Sequence, residues 1–282
     1  MFALTPLARK NRRAVDDLLY TSYRVHTHLD WQTAEEWLNA CESPAWLAWQ
    51  GERLVGMMAA GQPVEHTCWI RLAALHDDAL LAAEILRLLW ERVRADLRAL
   101  GVRQAALLLV RDWLKTYLAA LGFQYDEHII TLFRGTHQPL PGETPPEIVI
   151  RTVGGSDMDA VLAIDHAAFP ALWRLSKDDL YAARRVAAIC TLAQRRQQML
   201  GYQLCTQTRD SAHLARLAVR PEAQGTGVGA ALLHDVLRRF ARRNIYTMSV
   251  NTQASNLRSQ KLYQRCGFVR NGYDLPVYLA DL

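Results

Sequence analysis

No apolar run among the 282 residues reaches the ~18–20 that a membrane-crossing helix needs. Met1 to Lys10 has neither the apolar core nor the small-residue cleavage site of a secretory signal. The five cysteines, Cys41, Cys68, Cys190, Cys205 and Cys266, are odd in number, far apart and never in a C-x-x-C pair. That pattern argues against a disulfide framework or a zinc site and predicts a protein of the reducing cytoplasm with no metal. No Lys/Arg-rich tail and no basic run interleaved with aromatics is present, so neither a nucleic-acid partner nor a membrane is expected. The composition that remains is globular, half apolar and 22% charged.

The net charge of +5 is unevenly spread. Residues 1–134 hold 15 basic and 16 acidic side chains, whereas residues 135–282 hold 18 and 12. The densest basic cluster, Arg238, Arg239, Arg242 and Arg243, falls on one amphipathic helix and reads as a solvated face unless an anion lies nearby.

Pro139, Pro141, Gly142, Pro145 and Pro146 punctuate a stretch that can continue neither a helix nor a central strand. It reads as a linker over 135–146, between domains at 1–134 and 147–282. The flanking segments repeat each other. Arg71-Leu72-Ala73 recurs as Arg216-Leu217-Ala218, and Gly122-Phe123 as Gly267-Phe268, both at an offset of 145. One offset for two separated matches indicates duplicated domains, not the short period of a solenoid.

Hydrophobic periodicity gives both copies the same order of elements. In the second, strands are expected at Glu147–Thr152, Ile189–Ala193, Met199–Thr206, Leu214–Val219, Thr247–Asn251, Phe268–Tyr273 and Leu275–Leu279. Helices are expected at Asp157–Ala168 and Ser176–Arg185, each with a Ser cap, and at Gly227–Arg243 and Asn256–Cys266. The first copy reads as strands Phe2–Thr5, Ala45–Gln50, Leu54–Ala60, Cys68–Ala74, Gln104–Val110 and Tyr125–Phe133. Its helices read as Arg12–Tyr23, Thr33–Cys41, Asp77–Leu100 and Trp113–Leu121.

Gln224-Gly225-Thr226-Gly227-Val228-Gly229-Ala230 joins a strand to a helix. Its glycines let backbone approach an anion, and the helix start offers unpaired N–H groups and the positive dipole end. Gly225-x-Gly227-x-x-Ala230 fits a dinucleotide fingerprint formally, but the next strand ends in Ser249-Val250-Asn251 without the acid that would hold a ribose. No Lys-[Ser/Thr] follows the glycines, which excludes a P-loop.

Strand Leu214–Val219, Pro221 and Gln224-x-x-Gly227-x-Gly229 resemble the acetyl-CoA pyrophosphate motif of the GNAT superfamily of N-acetyltransferases. Asn256-x-x-Ser259-x-x-Leu262-Tyr263-x-x-x-Gly267-Phe268 resembles its other signature, with Ser259 where Ala is more usual. The two-copy layout is similar to that of tandem members such as the mycothiol synthases. Ala168-Phe169-Pro170 to Trp173, with Ser176 and Leu180, is faintly similar to ribosomal-protein alanine acetyltransferases.

The resemblance implies a mixed α/β fold: two copies in tandem, each a mostly antiparallel sheet with a splayed parallel strand pair and flanking helices. It implies acetyl-CoA in the splay, with the pantetheine amides on the backbone of Leu217, Ala218 and Val219. The pyrophosphate would sit on N–H groups of Gly225, Thr226, Gly227, Val228, Gly229 and Ala230, beside Gln224. Asn256, Ser259 and Tyr263 share one helix face toward the pantetheine arm and thioester. Tyr263 is the candidate general acid for the departing thiolate. The partner is an amine acceptor of unread identity, and no base is readable; His213, Asp165, His166 and Asp210 are weak candidates. The alternative to an acetyltransferase is a non-catalytic acyl-CoA sensor.

The first copy has lost these features. Leu80, Ala82 and Glu84 fall where Gly225, Gly227 and Gly229 stand, Leu118 replaces Tyr263 and Arg111 replaces Asn256. It is expected to bind no acetyl-CoA. His26-x-His28 has no third ligand nearby and reads as surface.

Overall fold

The computed structural model describes residues 2–40, 42–136, 138–139 and 147–282. Most of the expected linker, and Cys41 at the end of the second expected helix, lie outside the described residues. The chain forms two compact units, one of Met1–Glu127 with Leu275–Leu282 and one of His128–Asp274.

In the first unit the order is β1 (Ala3–Pro6), α1 (Arg12–Thr21), β2 (Arg24–Thr27), α2 (Ala34–Ala40), β3 (Ala45–Gln50), β4 (Arg53–Ala60), β5 (Thr67–Leu75), α3 (Ala82–Ala99), β6 (Gln104–Leu108) and α4 (Lys115–Leu118). β7 (Gln124–Arg134) then begins here and continues in the second unit. Strands β1, β3, β4 and β5 are antiparallel neighbours, and β6 joins β5 in parallel. The α3 stripe of Ile85, Leu86, Leu89, Trp90, Val93 and Leu97 is buried on this sheet at helical spacing. A large side chain fully buried in this way contributes ~1.5–3 kcal/mol. A second cluster, with Val15, Leu18, Leu38 and Leu47, packs through α1 and α2.

In the second unit β8 (Val149–Thr152), α5 (Met158–Ala168), α6 (Lys177–Val186), β9 (Ile189–Arg195), β10 (Gln198–Gln207), β11 (Ser211–Val219), α7 (Val228–Ala241), β12 (Thr247–Gln253) and α8 (Leu257–Arg265) follow, and β13 (Val269–Asp281) begins. The sheet order is β8-β9-β10-β11-β12, closed by the end of β7. α7 buries Val228, Ala231, Leu232, Leu233, Val236, Leu237 and Phe240, one continuous apolar stripe.

Each unit is completed by a strand from the other sequence copy. Within the first unit, Val277–Asp281 of β13 pairs antiparallel with Gln104–Leu108 of β6. Within the second, Ile129–Arg134 of β7 pairs antiparallel with β12. The sequence reading places both segments as the closing strands of their own copies. Both are short, mostly apolar runs that suit either sheet, so periodicity alone does not choose between them. Phe268–Tyr273 and Leu275–Leu279, expected as two strands, form one. Arg134 is fully buried in the second unit. Its Nε donates to the Cys266 carbonyl at 2.9 Å and its Nη2 to those of Gln138 and Pro139 at 2.9 and 2.7 Å.

The Ser cap of α6 forms as expected, with Ser176 Oγ accepting the Asp179 N–H at 3.0 Å. The one expected at Ser156 does not. The Asp157 carboxylate instead accepts the Gly154 N–H at 2.7 Å and a bidentate pair from Arg151 at 2.6 and 2.8 Å. A charged acceptor outcompetes a hydroxyl at this turn.

Candidate active site

β11 is antiparallel to β10 on one edge and parallel to β12 on the other, but the parallel register stops at Leu214↔Val250. The β10 register steps from Cys205↔Leu214 to Leu204↔Arg216, leaving Ala215 as a bulge. A bulge bends and twists its strand, and here it stands where β11 leaves β12. Beyond it, Leu217, Ala218 and Val219 pair with β10 alone among the described residues.

The gap opens into a pocket of about 780 Å³. Leu217, Ala218, Val219, Gln224, Gly225, Gly227, Gly229, Ala230, Asn256 and Ser259 line it, together with Ala168, Phe169, Leu262, Arg258, Lys261 and Arg265. Gly225 and Gly227 have φ of +82° and +90°, where a Cβ is strained by roughly 1–2 kcal/mol. At Gly229 a Cβ would stand 3.4 Å from Leu262 Cδ2, so α7 starts hard against α8.

Three of the expected residues do not line this pocket. Thr226 Oγ1 donates to the Ala223 carbonyl at 2.8 Å, holding the turn. Val228 is buried beneath the helix start. Tyr263 is 4% exposed, with its ring 5.8 Å from that of Phe268. Burial, reinforced by the nearby Cys205 thiol, raises the Tyr263 pKa well above that of a free phenol, against a hydrogen bond with Ser259 that lowers it. The phenol is therefore protonated at neutral pH, and its link to the pocket is the Ser259 side chain.

Asn256 Oδ1 accepts the Ser259 N–H at 3.1 Å and caps α8. Gln224 bridges two elements: its Nε2 donates to the Val219 carbonyl at 3.1 Å, and its Oε1 accepts from Arg258. One of the three expected backbone positions thus already has a side-chain partner. Arg258, Lys261 and Arg265 are functional candidates that the motif reading missed. Their i, i+3, i+7 spacing on α8, facing a glycine turn, was the available signal.

A buried polar cluster stands behind Phe169. Asp165 is fully buried and takes two hydrogen bonds from Arg216, at 2.7 and 2.9 Å, one from Tyr202 at 2.6 Å and one from the Leu175 N–H at 3.0 Å. Arg216 also donates to the Trp173 carbonyl and lies 3.7 Å over the Phe169 ring. Asp165 is fully engaged as an anchor. His166 Nε2 meets the Leu175 carbonyl at 2.9 Å, and His213 Nδ1 meets Ser249 Oγ at 2.9 Å; neither lines the pocket.

The same gap in the first unit is filled. The β5–β6 parallel register ends at Trp69↔Ala106, and a bulge-like step in β5 that skips Arg71 follows. There β2 enters as an extra strand, pairing Arg24–Thr27 with Leu72–Leu75. At the repeat offset these β5 positions correspond to Leu217–Arg220, and β2 corresponds to Phe169–Leu172. The surface placement expected for His26 is corrected: His26 is fully buried because β2 is a strand of the sheet. Burial, helped by His28, lowers the His26 pKa to about 3; burial likewise lowers His28 to about 4 despite Asp30. In the second unit Pro170 stands at the Val25 position, and proline offers no N–H for such a strand.

A glycine turn at a helix start, a strand edge with no strand partner among the described residues and a cationic helix face meet around this pocket. Residues 158–268, within the second unit, match the model of the acetyltransferase (GNAT) family. The chain is 27% identical over 245 residues to a mycothiol acetyltransferase of Acidimicrobium ferrooxidans, covering 79% of this chain and 78% of the relative. It is also 27% identical over 133 residues to a ribosomal protein bS18 alanine N-acetyltransferase of Haemophilus ducreyi, covering 45% and 90%. Among solved structures, a tandem GNAT protein of the clavulanic acid biosynthesis pathway superposes with a TM-score of 0.67 at 16% identity, over 100% of this chain and 98% of that one. A GCN5-related N-acetyltransferase of Sphaerobacter thermophilus gives 0.63 at 17%, over 99% and 95%. These two likenesses show the fold. The protein is an N-acetyltransferase that moves an acetyl group to an amine.

Proposed function

We propose that acetyl-CoA binds once per chain, in the second unit, and that its acetyl group passes directly to a primary amine in a ternary complex. The observation that carries this is the contrast between the two gaps: open beside Leu217–Val219, filled by β2 beside Leu72–Leu75. The backbone of Leu217 and Ala218 offers sheet-like hydrogen bonds to the pantetheine amides. The N–H groups from Gly225 to Ala230 take the pyrophosphate, with the α7 dipole behind them. Arg258, Lys261 and Arg265 add cationic charge on the α8 side.

Attack by the neutral amine on the thioester carbonyl expels a thiolate, which needs a proton. Tyr263 supplies it, through Ser259 or directly once the pocket fills, while the adduct's nitrogen gives up its extra proton to solvent, from which the phenolate is reprotonated. Its raised pKa keeps the proton available at neutral pH. The first unit acts as scaffold. The amine belongs to a small molecule or to a peptide or protein, a range suggested by relatives named for mycothiol and for an alanine of ribosomal protein bS18. The four described cysteines are free thiols, which supports a cytoplasmic setting.

The test is thiol release from acetyl-CoA with a panel of small amines and alanine-terminated peptides. Turnover with at least one acceptor, lost in a Gly227→Val variant that still folds, is expected. No turnover with any amine, alongside tight acetyl-CoA binding, would instead favour a sensor.

A further inference from the structure

The arginine cluster of α7 lies at the opposite end of the helix from the glycine turn, about 20 Å away at 1.5 Å per residue. It plays no part in the site described above. The structure adds what the sequence did not show, an arginine from another helix beside three of the cluster. Arg184, near the end of α6, faces Arg239, Arg242 and Arg243 around a pocket of about 350 Å³. The start of β9, through Ile189 and Cys190, and Thr152 of β8 complete the wall.

The charge in this pocket is one-sided. Asp235 pairs with Arg239 at 2.6 Å and is the carboxylate the described residues set against the group. Arg184 Nη2 donates to the Val153 carbonyl at 3.2 Å, and Arg243 Nη1 to Gln207 Oε1 at 3.3 Å. Each of these contacts orients a guanidinium and uses one of its five N–H donors. The Cys190 thiol adds no negative charge, because burial pushes its pKa up to about 11 against the pull of Arg184. The negative ends of two helix dipoles explain why basic residues occur in each last turn. They do not explain why arginines from both helices enclose one cavity.

We propose that this pocket binds a small phosphorylated molecule, distinct from the acetyl donor. Planar guanidinium forks match phosphate oxygens in pairs. The volume suits a phosphate or diphosphate group on a compact body, and it is under half that of the main pocket. A phosphorylated ligand here would contact the end of α7, the helix whose start forms the glycine turn.

The test is calorimetric titration of the full chain with inorganic pyrophosphate in low salt, with CoA at saturation to fill the glycine turn. Four proteins are compared: wild type, Arg184→Ala/Arg242→Ala, Arg242→Gln, and the turn variant Gly227→Val. Arg242 is exposed, so Arg242→Gln alone serves as a second variant whose fold is secure. Saturable binding is expected in wild type and in the turn variant, weakened at least tenfold by the double substitution and severalfold by Arg242→Gln. No binding in wild type, or binding indifferent to the arginines, overturns the proposal. Binding lost in the turn variant assigns the pyrophosphate to the turn and also overturns it. A 20-nucleotide RNA that binds through these arginines while pyrophosphate does not would make the surface a nucleic-acid contact, and the proposal fails. If CoA itself does not bind, the acetyl-CoA reading fails, and the arginine variants still decide this one.

Discussion

Ala73 is flanked by strands on both edges, opposite Met58 on β4 and opposite His26 on β2. Ala218, its counterpart 145 residues on, faces Tyr202 on β10 and has the pocket on its other side. In the first unit a segment of the chain itself occupies the edge that in the second unit borders the pocket. Pairing with β2 satisfies backbone groups that would otherwise stand exposed at a splay.

This relationship sets a stoichiometry. Calorimetry should give one equivalent of acetyl-CoA per chain. Gly227→Val should abolish binding while lowering stability by only about 1–2 kcal/mol, the cost of a side chain at φ of +90°. Two equivalents in wild type would refute the filled-gap account.

Tyr263→Phe keeps the ring packed on Phe268 and removes the proton donor. The turnover number should fall about 10²-fold or more, with little change in the KM for acetyl-CoA. Ser259→Ala, which breaks the link between the phenol and the pocket, should show a smaller loss of the same kind. Steady-state kinetics with the best acceptor checks both.

Arg258 and Lys261 act on charge, not on chemistry. Replacing both by Ala should raise the KM for acetyl-CoA about tenfold, leave the turnover number within a factor of about two, and flatten the dependence of KM on salt. An unchanged KM would remove them from the site.

The Asp165 cluster is buried and fully bonded, so breaking it leaves Arg216 without its counter-charge. Asp165→Ala should cost about 3–5 kcal/mol, read as a lowered urea midpoint. A loss under 1 kcal/mol would show the arginine relaxing into solvent.

His26 and His28 predict acid sensitivity. Their folded pKa values of about 3 and 4 lie below the unfolded value of 6.5, so the unfolded chain takes up protons first as pH falls. Their contribution is intact above about pH 6.5 and is lost on the way down to about pH 3–4. Each histidine adds a slope of up to about 1.4 kcal/mol per pH unit. Urea midpoints measured from pH 7 to pH 4.5 should fall, and His26→Leu should flatten the profile.

The glycine turn, the α7 stripe, the Ser176 cap and the duplication were all legible, because each rests on neighbours within one or two helical turns or on a repeated pattern. β2 was not. Arg24–Thr27 is four residues long, and it becomes a strand because β5 and β6 diverge and leave an edge to pair with. The exchange of β7 and β13 was hidden for a related reason: a short apolar strand carries no mark of which sheet receives it.

By itself the sequence determined that the chain carries two related copies and that only the second keeps a backbone fit for a phosphate, because glycine spacing and side-chain loss are local facts. Tertiary structure decided which gap is open, that Tyr263 is buried behind Ser259 and does not line the pocket, and that arginines from two helices share one cavity. Those outcomes depend on strand pairing and on side chains distant in sequence meeting in space, and no stretch of sequence encodes such meetings alone.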